Sequence, residues 1–153
     1  MIAELIEESG EVPENNGIEE IVQAFFRDYN IPGNYRVYVV FLSDDGIREY
    51  NSSFFERNAP TDVISVLLDD ELDGEYVWGE IYISSETAKR EAEKRGIAWK
   101  DEVCLYVVHG LFHLLGYNDE TPRDRERMWR MQLSFLAKFG FATEKFENDA
   151  TEK

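Results

Sequence analysis

The sequence VVHGLFHLLGYND, residues 107–119, contains both histidines of the chain, His109 and His113. In a helix, residues four positions apart lie on one face and one turn apart, so these two imidazoles could bind a single metal ion. Gly116 is expected to end the helix, which leaves the carboxylate of Asp119 just beyond the turn as a third ligand. The pattern His-x3-His-x5-Asp therefore predicts a metal site at the end of a helix.

A structural role is the alternative for each of these residues. The two histidines could instead be core residues that hydrogen-bond to backbone, and Asp119 could be a turn or capping residue ahead of Thr121. The spacing of the histidines on one helical face favours the metal site over these alternatives.

Gly110 follows the first histidine, at the position where a metalloprotease of the zincin type carries the glutamate that acts as general base. The sequence therefore argues against peptide hydrolysis by that mechanism. A glycine within a helix costs about 1 kcal/mol relative to alanine. This cost predicts either close backbone packing at Gly110 or space for a substrate.

The hydrophobic pattern on either side of this stretch indicates intermixed strands and helices. Residues 101–115 are apolar on nearly all sides, so the zincin-like helix that carries the histidines is expected to run through the core. An acidic surface loop is predicted from 69 to 76. We predict strands at 2–6, 35–42, 62–68 and 78–83, and further helices at 17–29, 43–54, 86–95 and 121–138.

These elements do not repeat as regular βαβ units, which predicts the α+β class with a small mixed β-sheet packed by about five helices. The length of 153 residues fits a single domain over residues 1–153. The tail at 144–153 is acidic and is predicted to be mobile. Cys104 is the sole cysteine, so we expect it to be a small buried side chain rather than part of an internal disulfide.

The net charge of −16 disfavours broad, nonspecific binding of nucleic acid. Most of the charged side chains are expected to lie on solvated surfaces. The basic residues are unevenly distributed, however, so a locally positive surface is possible. They gather at 89–95 and at Arg123, Arg125, Arg127 and Arg130. The first two of these arginines oppose the dipole of the helix that they open, so helix stability does not explain them.

No apolar run approaches the ~18 residues that a membrane-spanning helix needs. The first eight residues carry acids at the positions where a secretory signal carries bases. We therefore expect a cytoplasmic protein that has no membrane partner.

Three motifs follow one another in the chain: Asn51 with PTDVIS at 60–65, GEIYI at 79–83, and HGLFHLLGY at 109–117. In this order they resemble the YbeY family, the zinc-dependent endoribonucleases of bacterial ribosomal RNA maturation. The first is similar to the strand-entry motif of the family, the second to a strand in which glycine and an acidic residue precede isoleucine, and the third to its metal signature. The order and spacing of these motifs match the family over roughly residues 20–140.

The resemblance implies a metal-dependent endoribonuclease that cuts single-stranded RNA in late rRNA processing. It implies one Zn²⁺ per chain, bound by His109, His113 and Asp119. It also implies catalytic roles for His109 and Arg57, and substrate contacts from Arg57 and Arg123. The implied partners are rRNA and the small ribosomal subunit or its proteins, with no DNA expected. Arg123 could instead pair with acidic neighbours, and Arg57 could be a solvated base in a loop.

The chain departs from the family at two positions. The third ligand of the family is usually a histidine preceded by aspartate, whereas this chain has Asn118 and Asp119. Because two histidines and a carboxylate also bind iron(II), Fe²⁺ is the alternative metal. The family carries an arginine five residues before the proline of its Pro-Thr motif. Here that residue is Phe55, and Arg57 is the nearest substitute.

Two other functions stay open. A ribosome-assembly factor with a largely structural metal, and with weak or no nuclease activity, is favoured by the net charge and by Phe55. An iron(II) oxygenase is indicated by the type of ligands alone. Metal-dependent RNA cleavage would separate the nuclease from the assembly factor.

Overall fold

A computed structural model of the chain describes residues 1–55 and 63–146, and of residues 53–55 it describes the backbone alone. Its elements follow one another in an order of intermixed strands and helices. They are β1 (Ala3–Glu7), α1 (Ile18–Asp28), β2 (Tyr35–Leu42), α2 (Asp44–Phe55), β3 (Val63–Leu72), β4 (Glu75–Ser84), α3 (Ser85–Arg95), α4 (Trp99–Leu114), α5 (Pro122–Ala137) and a 3₁₀ helix (Thr143–Lys145).

The four strands form one mixed sheet in the order β1-β2-β4-β3. β2 pairs in parallel with both β1 and β4, whereas β3 pairs antiparallel with β4. β2 and β4 are central because their β-branched and aromatic residues are buried on both faces of the sheet. A mixed sheet with five α-helices confirms the predicted α+β fold.

Helices cover both faces of this sheet. The main core lies under α1, α4 and α5, where Phe112 and Phe135 both pack edge to face against Phe25. A smaller apolar cluster lies on the other face, where Ile47 of α2 packs with Tyr82. The histidine helix α4 is buried on most of its sides, as predicted.

The acidic segment at 69–76 differs from its prediction as a surface loop. β3 continues to Leu72 and β4 begins at Glu75, so the two strands form a hairpin. The two turn residues, Asp73 and Gly74, have φ values of 50° and 85°, a conformation that the Asp-Gly pair favours. The exposed acids do not prevent pairing because β3 is an edge strand, where charged side chains face water.

Two glycines allow α4 to lie close against β4. A Cβ atom on Gly79 would come within 2.8 Å of Leu114, and a Cβ atom on Gly110 would come within 2.9 Å of Ile81. Close packing is therefore the explanation for the glycine beside His109. This contact fixes the distance between the histidine helix and the sheet.

α4 is the most apolar helix of the fold. It contains Cys104, which is fully buried as predicted, and burial raises the pKa of this thiol to about 12. The thiol therefore stays protonated and unreactive near neutral pH. None of the helices in the described part of the chain, α4 included, has the length and apolar character needed to cross a membrane.

The carboxyl-terminal segment packs against the end of α3, where Arg95 also pairs with Glu102 of α4. Arg95 Nε lies 2.9 Å from Glu102 Oε1, and these two side chains are 9% and 0% exposed. The guanidinium of Arg95 also lies 5.5 Å from the ring centre of Phe146, which is buried. Within the tail, residues 144–146 therefore contact the rest of the fold, and the mobility of the tail stays a prediction. Residues 147–153 lie outside the described residues.

Glu102→Ala is expected to lower the free energy of unfolding by about 3–5 kcal/mol, because removing one partner of a buried ion pair leaves the other charge buried. Denaturant unfolding in urea measures this loss. Glu91→Ala is the matched control, since Glu91 pairs with Lys94 on the exposed side of α3, where such a pair contributes less than about 0.5 kcal/mol. A loss below about 1 kcal/mol for Glu102→Ala would contradict the prediction.

Candidate metal centre

The candidate metal centre lies against the last two turns of α4, next to the point where the chain turns back on itself. Gly116 has a φ of 109°, in the left-handed region that favours glycine, so the helix stops there as predicted. The loop that follows carries Asp119 back to the face of α4 on which His109 and His113 lie. The turn at Gly116 therefore brings the loop residue Asp119 next to the two histidines of the helix.

The three side chains converge on one small space. His109 Nε2 lies 3.0 Å from His113 Nε2, and Asp119 Oδ2 lies 3.8 Å from the first and 3.7 Å from the second. Ligands at about 2.0–2.1 Å from a tetrahedral zinc ion lie about 3.3 Å apart. The observed separations are within about half an ångström of that value. These residues could therefore hold one metal ion.

Each imidazole is oriented by a hydrogen bond at its other nitrogen. His113 Nδ1 donates to the carbonyl oxygen of Tyr117 at 3.0 Å, and His109 Nδ1 donates to Gln132 Oε1 at 2.7 Å. A carbonyl oxygen only accepts, so each neutral ring carries its proton on Nδ1 and its lone pair on Nε2. Outer hydrogen bonds of this kind orient histidine ligands in metal sites.

The donor set fits a metal ion. Two Nε2 lone pairs point into the same space at 3.0 Å, and a carboxylate faces both of them. Lone pairs placed so close repel one another unless a cation lies between them. The side chains of the histidines are each 26% exposed and that of Asp119 is 45% exposed, so the centre is open to solvent on one side.

Arg125 holds the loop that carries the carboxylate ligand. Its Nη1 donates to the backbone oxygens of Asp119 at 3.2 Å and of Glu120 at 3.4 Å. Thr121 then caps α5 by accepting a hydrogen bond from Asp124 N at 3.1 Å, which is the helix start that the sequence predicted. The position of Asp119 therefore depends on contacts from the first turn of α5.

Two residues that support the site, Gln132 and Arg125, were not predicted from the sequence. Gln132 is only 1% exposed and lies among the apolar residues that α5 buries, Met128, Phe135 and Leu136. A polar side chain on the inward face of a helix needs a hydrogen-bond partner, and this was a signal in the sequence. Arg125 gave only an indirect signal, through its unfavourable position in the helix dipole.

The other predicted site residues are placed as follows. Arg123 is exposed on the first turn of α5, and Asn51 of the strand-entry motif is 3% exposed. Arg57 lies outside the described residues, as do residues 60–62 of the strand-entry motif. Phe55 ends α2, and its side chain is not among those described. The structure therefore brings together the three proposed metal ligands and leaves the role of Arg57 as a prediction.

Gln132→Leu is expected to weaken metal binding about 10–100-fold, because His109 loses the acceptor that orients it. A zinc titration against a competing chelator measures the dissociation constant. Gln132→Glu, which keeps an acceptor oxygen at the same place, should retain tight binding. The leucine variant can be compared once it is shown to unfold at the same temperature as the wild type. An unchanged dissociation constant in that variant would show that this hydrogen bond does not orient His109.

The family model described as Endoribonuclease YbeY matches residues 6–140 of the chain. The chain belongs to the YbeY family. Proteins named Endoribonuclease YbeY from Bacillus subtilis and Geobacillus thermodenitrificans are 30% and 32% identical to it, over 92% and 90% of this chain and 96% and 95% of those proteins. The protein of that name from Aquifex aeolicus is 38% identical over 60% of this chain and 61% of its own length.

A solved structure shares this architecture. The solution structure of TM1509 from Thermotoga maritima aligns with 93% of this chain and 95% of its own, with a TM-score of 0.56 and 23% sequence identity. At this identity the likeness shows the fold alone. The resemblance to the YbeY family, which the sequence motifs indicated, is confirmed, and the family match begins earlier than the motifs, at residue 6.

Proposed function

We propose that the chain is a metal-dependent endoribonuclease that cleaves single-stranded RNA in late ribosomal RNA processing, in the cytoplasm, together with the small ribosomal subunit or its proteins. One observation carries this proposal. The donor atoms of His109, His113 and Asp119 converge within 3.8 Å of one another, in a chain that belongs to the endoribonuclease YbeY family.

Zn²⁺, one ion per chain, is the proposed metal, and Fe²⁺ is the alternative because two imidazoles and one carboxylate suit both. When bound, such an ion is a Lewis acid that polarises a phosphoryl oxygen. His109, His113 and Asp119 would hold it. The exposed side of these three side chains is the direction from which an RNA strand reaches the centre.

The basic side chains of the protein are proposed to hold the phosphate groups of the RNA. Arg57 is the candidate for the scissile phosphate and acts as the substitute for the family arginine that Phe55 replaces. Arg123, exposed at the start of α5, is the candidate for a neighbouring phosphate. A guanidinium suits both positions because its planar set of donors matches two phosphate oxygens at once.

Cleavage of an unstructured fluorescent RNA is expected to stop when a chelator removes the metal from the protein. It should resume when one equivalent of zinc per chain is added to the metal-free protein. The metal contributes the Lewis acid, so the RNA-binding residues alone should not support cleavage. Mg²⁺, which prefers oxygen ligands, is the control ion and should not restore activity. Cleavage that continues at full rate in the metal-free protein would contradict the proposal.

A second function, ribosome assembly without cleavage, is favoured by two specific observations. The family arginine position is occupied by Phe55, and the net charge is −16. This function predicts that metal-free protein retains small ribosomal subunits in a pull-down, whereas RNA is not cleaved with zinc, iron(II) or manganese. Metal-dependent cleavage together with loss of subunit binding would exclude it.

A further inference from the structure

Three arginines form a stripe along the exposed side of α5. Arg123, Arg127 and Arg130 are spaced by four and three residues, so they lie on one face of the helix, and all three are exposed. The helix rises 1.5 Å per residue, so the stripe is about 10 Å long. Arg125 lies on another side of the helix and contacts the loop of Asp119 instead.

Most of the other bases in the described residues are engaged, unlike these three arginines. Lys100, Arg125 and Lys145 donate to backbone oxygens, and Arg27, exposed near the end of α1, is the exception. Elsewhere, seven bases lie within 4.0 Å of a carboxylate, namely Arg36, Arg48, Lys89, Arg90, Lys94, Arg95 and Lys138. Within residues 1–55 and 63–146, no carboxylate oxygen approaches the three α5 arginines to that distance. In a chain with 32 acidic residues, their charge is left available to an external anion.

The stability of α5 does not account for the stripe. Arg123 lies in the first turn, where the positive end of the helix dipole disfavours a cation. Glu126 lies four residues before Arg130, a spacing that permits an ion pair, but the two side chains do not form one. Neither the dipole nor a neighbouring acid therefore explains why these positions are arginine.

The stripe passes the metal centre at its middle member, Arg127. The guanidinium of Arg127 lies 5.3 Å from the ring centre of Tyr117, and the backbone oxygen of Tyr117 accepts the hydrogen bond that orients His113. A polyanion with one phosphate group at the metal ligands would therefore place its next groups along α5. The other bases at 89–95 are engaged with carboxylates or buried, so they offer no equivalent continuation.

We propose that Arg123, Arg127 and Arg130 form an arginine ridge that binds the phosphate groups of single-stranded RNA next to the cleaved bond. This inference rests on the proposed nuclease function, and it places the bound RNA strand along α5. RNA fits this surface better than an acidic protein does, for two reasons. Its phosphate groups are regularly spaced along the strand, and the neighbouring metal centre suits phosphate chemistry. The ridge also provides a local binding site on a protein whose net charge repels RNA elsewhere.

The test is the salt dependence of RNA binding by the full chain, treated with chelator so that no cleavage occurs. Fluorescence anisotropy with a short oligouridine measures affinity between 50 and 200 mM salt, where each phosphate contact on a single strand contributes about −0.7 to the slope of log K against log salt. The triple variant Arg123→Gln, Arg127→Gln and Arg130→Gln should reduce that slope by about 2 and weaken binding at least about tenfold at low salt.

The matched control is a triple variant with the same change in net charge, Arg48→Gln, Lys89→Gln and Lys94→Gln. Because these three bases are paired with Asp45, Glu11 and Glu91, their loss should leave the slope unchanged. Glu126→Gln, which removes the acid beside the ridge, should strengthen binding. Equal metal content in all variants shows that the centre is intact.

The outcomes separate the ridge from the proposed function. RNA binding with an unchanged slope in the ridge variant would overturn the ridge and leave the nuclease proposal standing. An equal loss in the control variant would overturn it too, because net charge alone would then explain the binding. Absence of RNA binding by the wild type, with no cleavage in the presence of zinc, would overturn both. Competition by polyglutamate as strong as that by RNA would assign the ridge to an acidic protein and overturn the RNA site.

Discussion

His109→Ala is expected to remove the bound metal and to lower the rate of RNA cleavage by about three orders of magnitude. Lewis-acid stabilisation of phosphate charge contributes several kcal/mol, and each 1.4 kcal/mol corresponds to a factor of about ten in rate. The variant keeps only His113 and Asp119 at the centre. Elemental analysis of gently purified protein, together with single-turnover cleavage of an unstructured RNA, measures both effects.

Two variants of the same loop serve as controls for this prediction. Glu120→Ala removes the carboxylate next to Asp119 and should leave the metal content unchanged, because Glu120 contributes only its backbone to the loop contacts. Asp119→His supplies an imidazole, the usual third ligand of the family, and should retain the metal. Stoichiometric metal in His109→Ala, or none in the wild type, would show that the centre is not a metal site.

Arg57→Ala is expected to lower the rate constant for cleavage by about 10²–10³-fold, because a guanidinium placed at the reacting phosphate stabilises the charge that develops there. If Arg57 has replaced the family arginine, Phe55→Arg should change the rate by less than about tenfold. Rate constants measured with saturating zinc and RNA separate this effect from binding.

The matched control for Arg57 is Arg48→Ala, which removes an arginine of α2 that pairs with Asp45. It should leave the rate unchanged. Faster cleavage by Phe55→Arg, together with full activity of Arg57→Ala, would show that the chain lacks the family arginine and that Arg57 does not replace it. Absence of cleavage in every variant would favour the assembly factor with a structural metal.

Much of the fold followed from local patterns in the sequence. The alternation at 35–42, the Thr-Pro helix start at 121 and the glycine at 116 each specify an element through contacts within a few residues. The spacing of His109 and His113 belongs to the same class, since one helical turn brings the two side chains together. These are the features that the structure places as expected.

The features that the sequence analysis missed depend on contacts between distant segments or on an overlooked turn. Gln132 is 23 residues from His109 along the chain, and only the packing of α5 on α4 brings the two together. The hairpin at 69–76 was hidden because acidic residues normally indicate loops, although Asp73-Gly74 is a strong hairpin signal. Phe146 looked like part of a polar tail and is buried by a contact with Arg95.

The burial of Phe146 sets a boundary for shortened forms of this protein. The family match ends at residue 140, and a chain cut there would lose a buried aromatic ring, whose removal from a core typically costs about 3–5 kcal/mol. Domains of this kind are stable by only about 5–15 kcal/mol. The smallest unit that folds with full stability therefore extends beyond the residues that the family model matches, at least to Phe146.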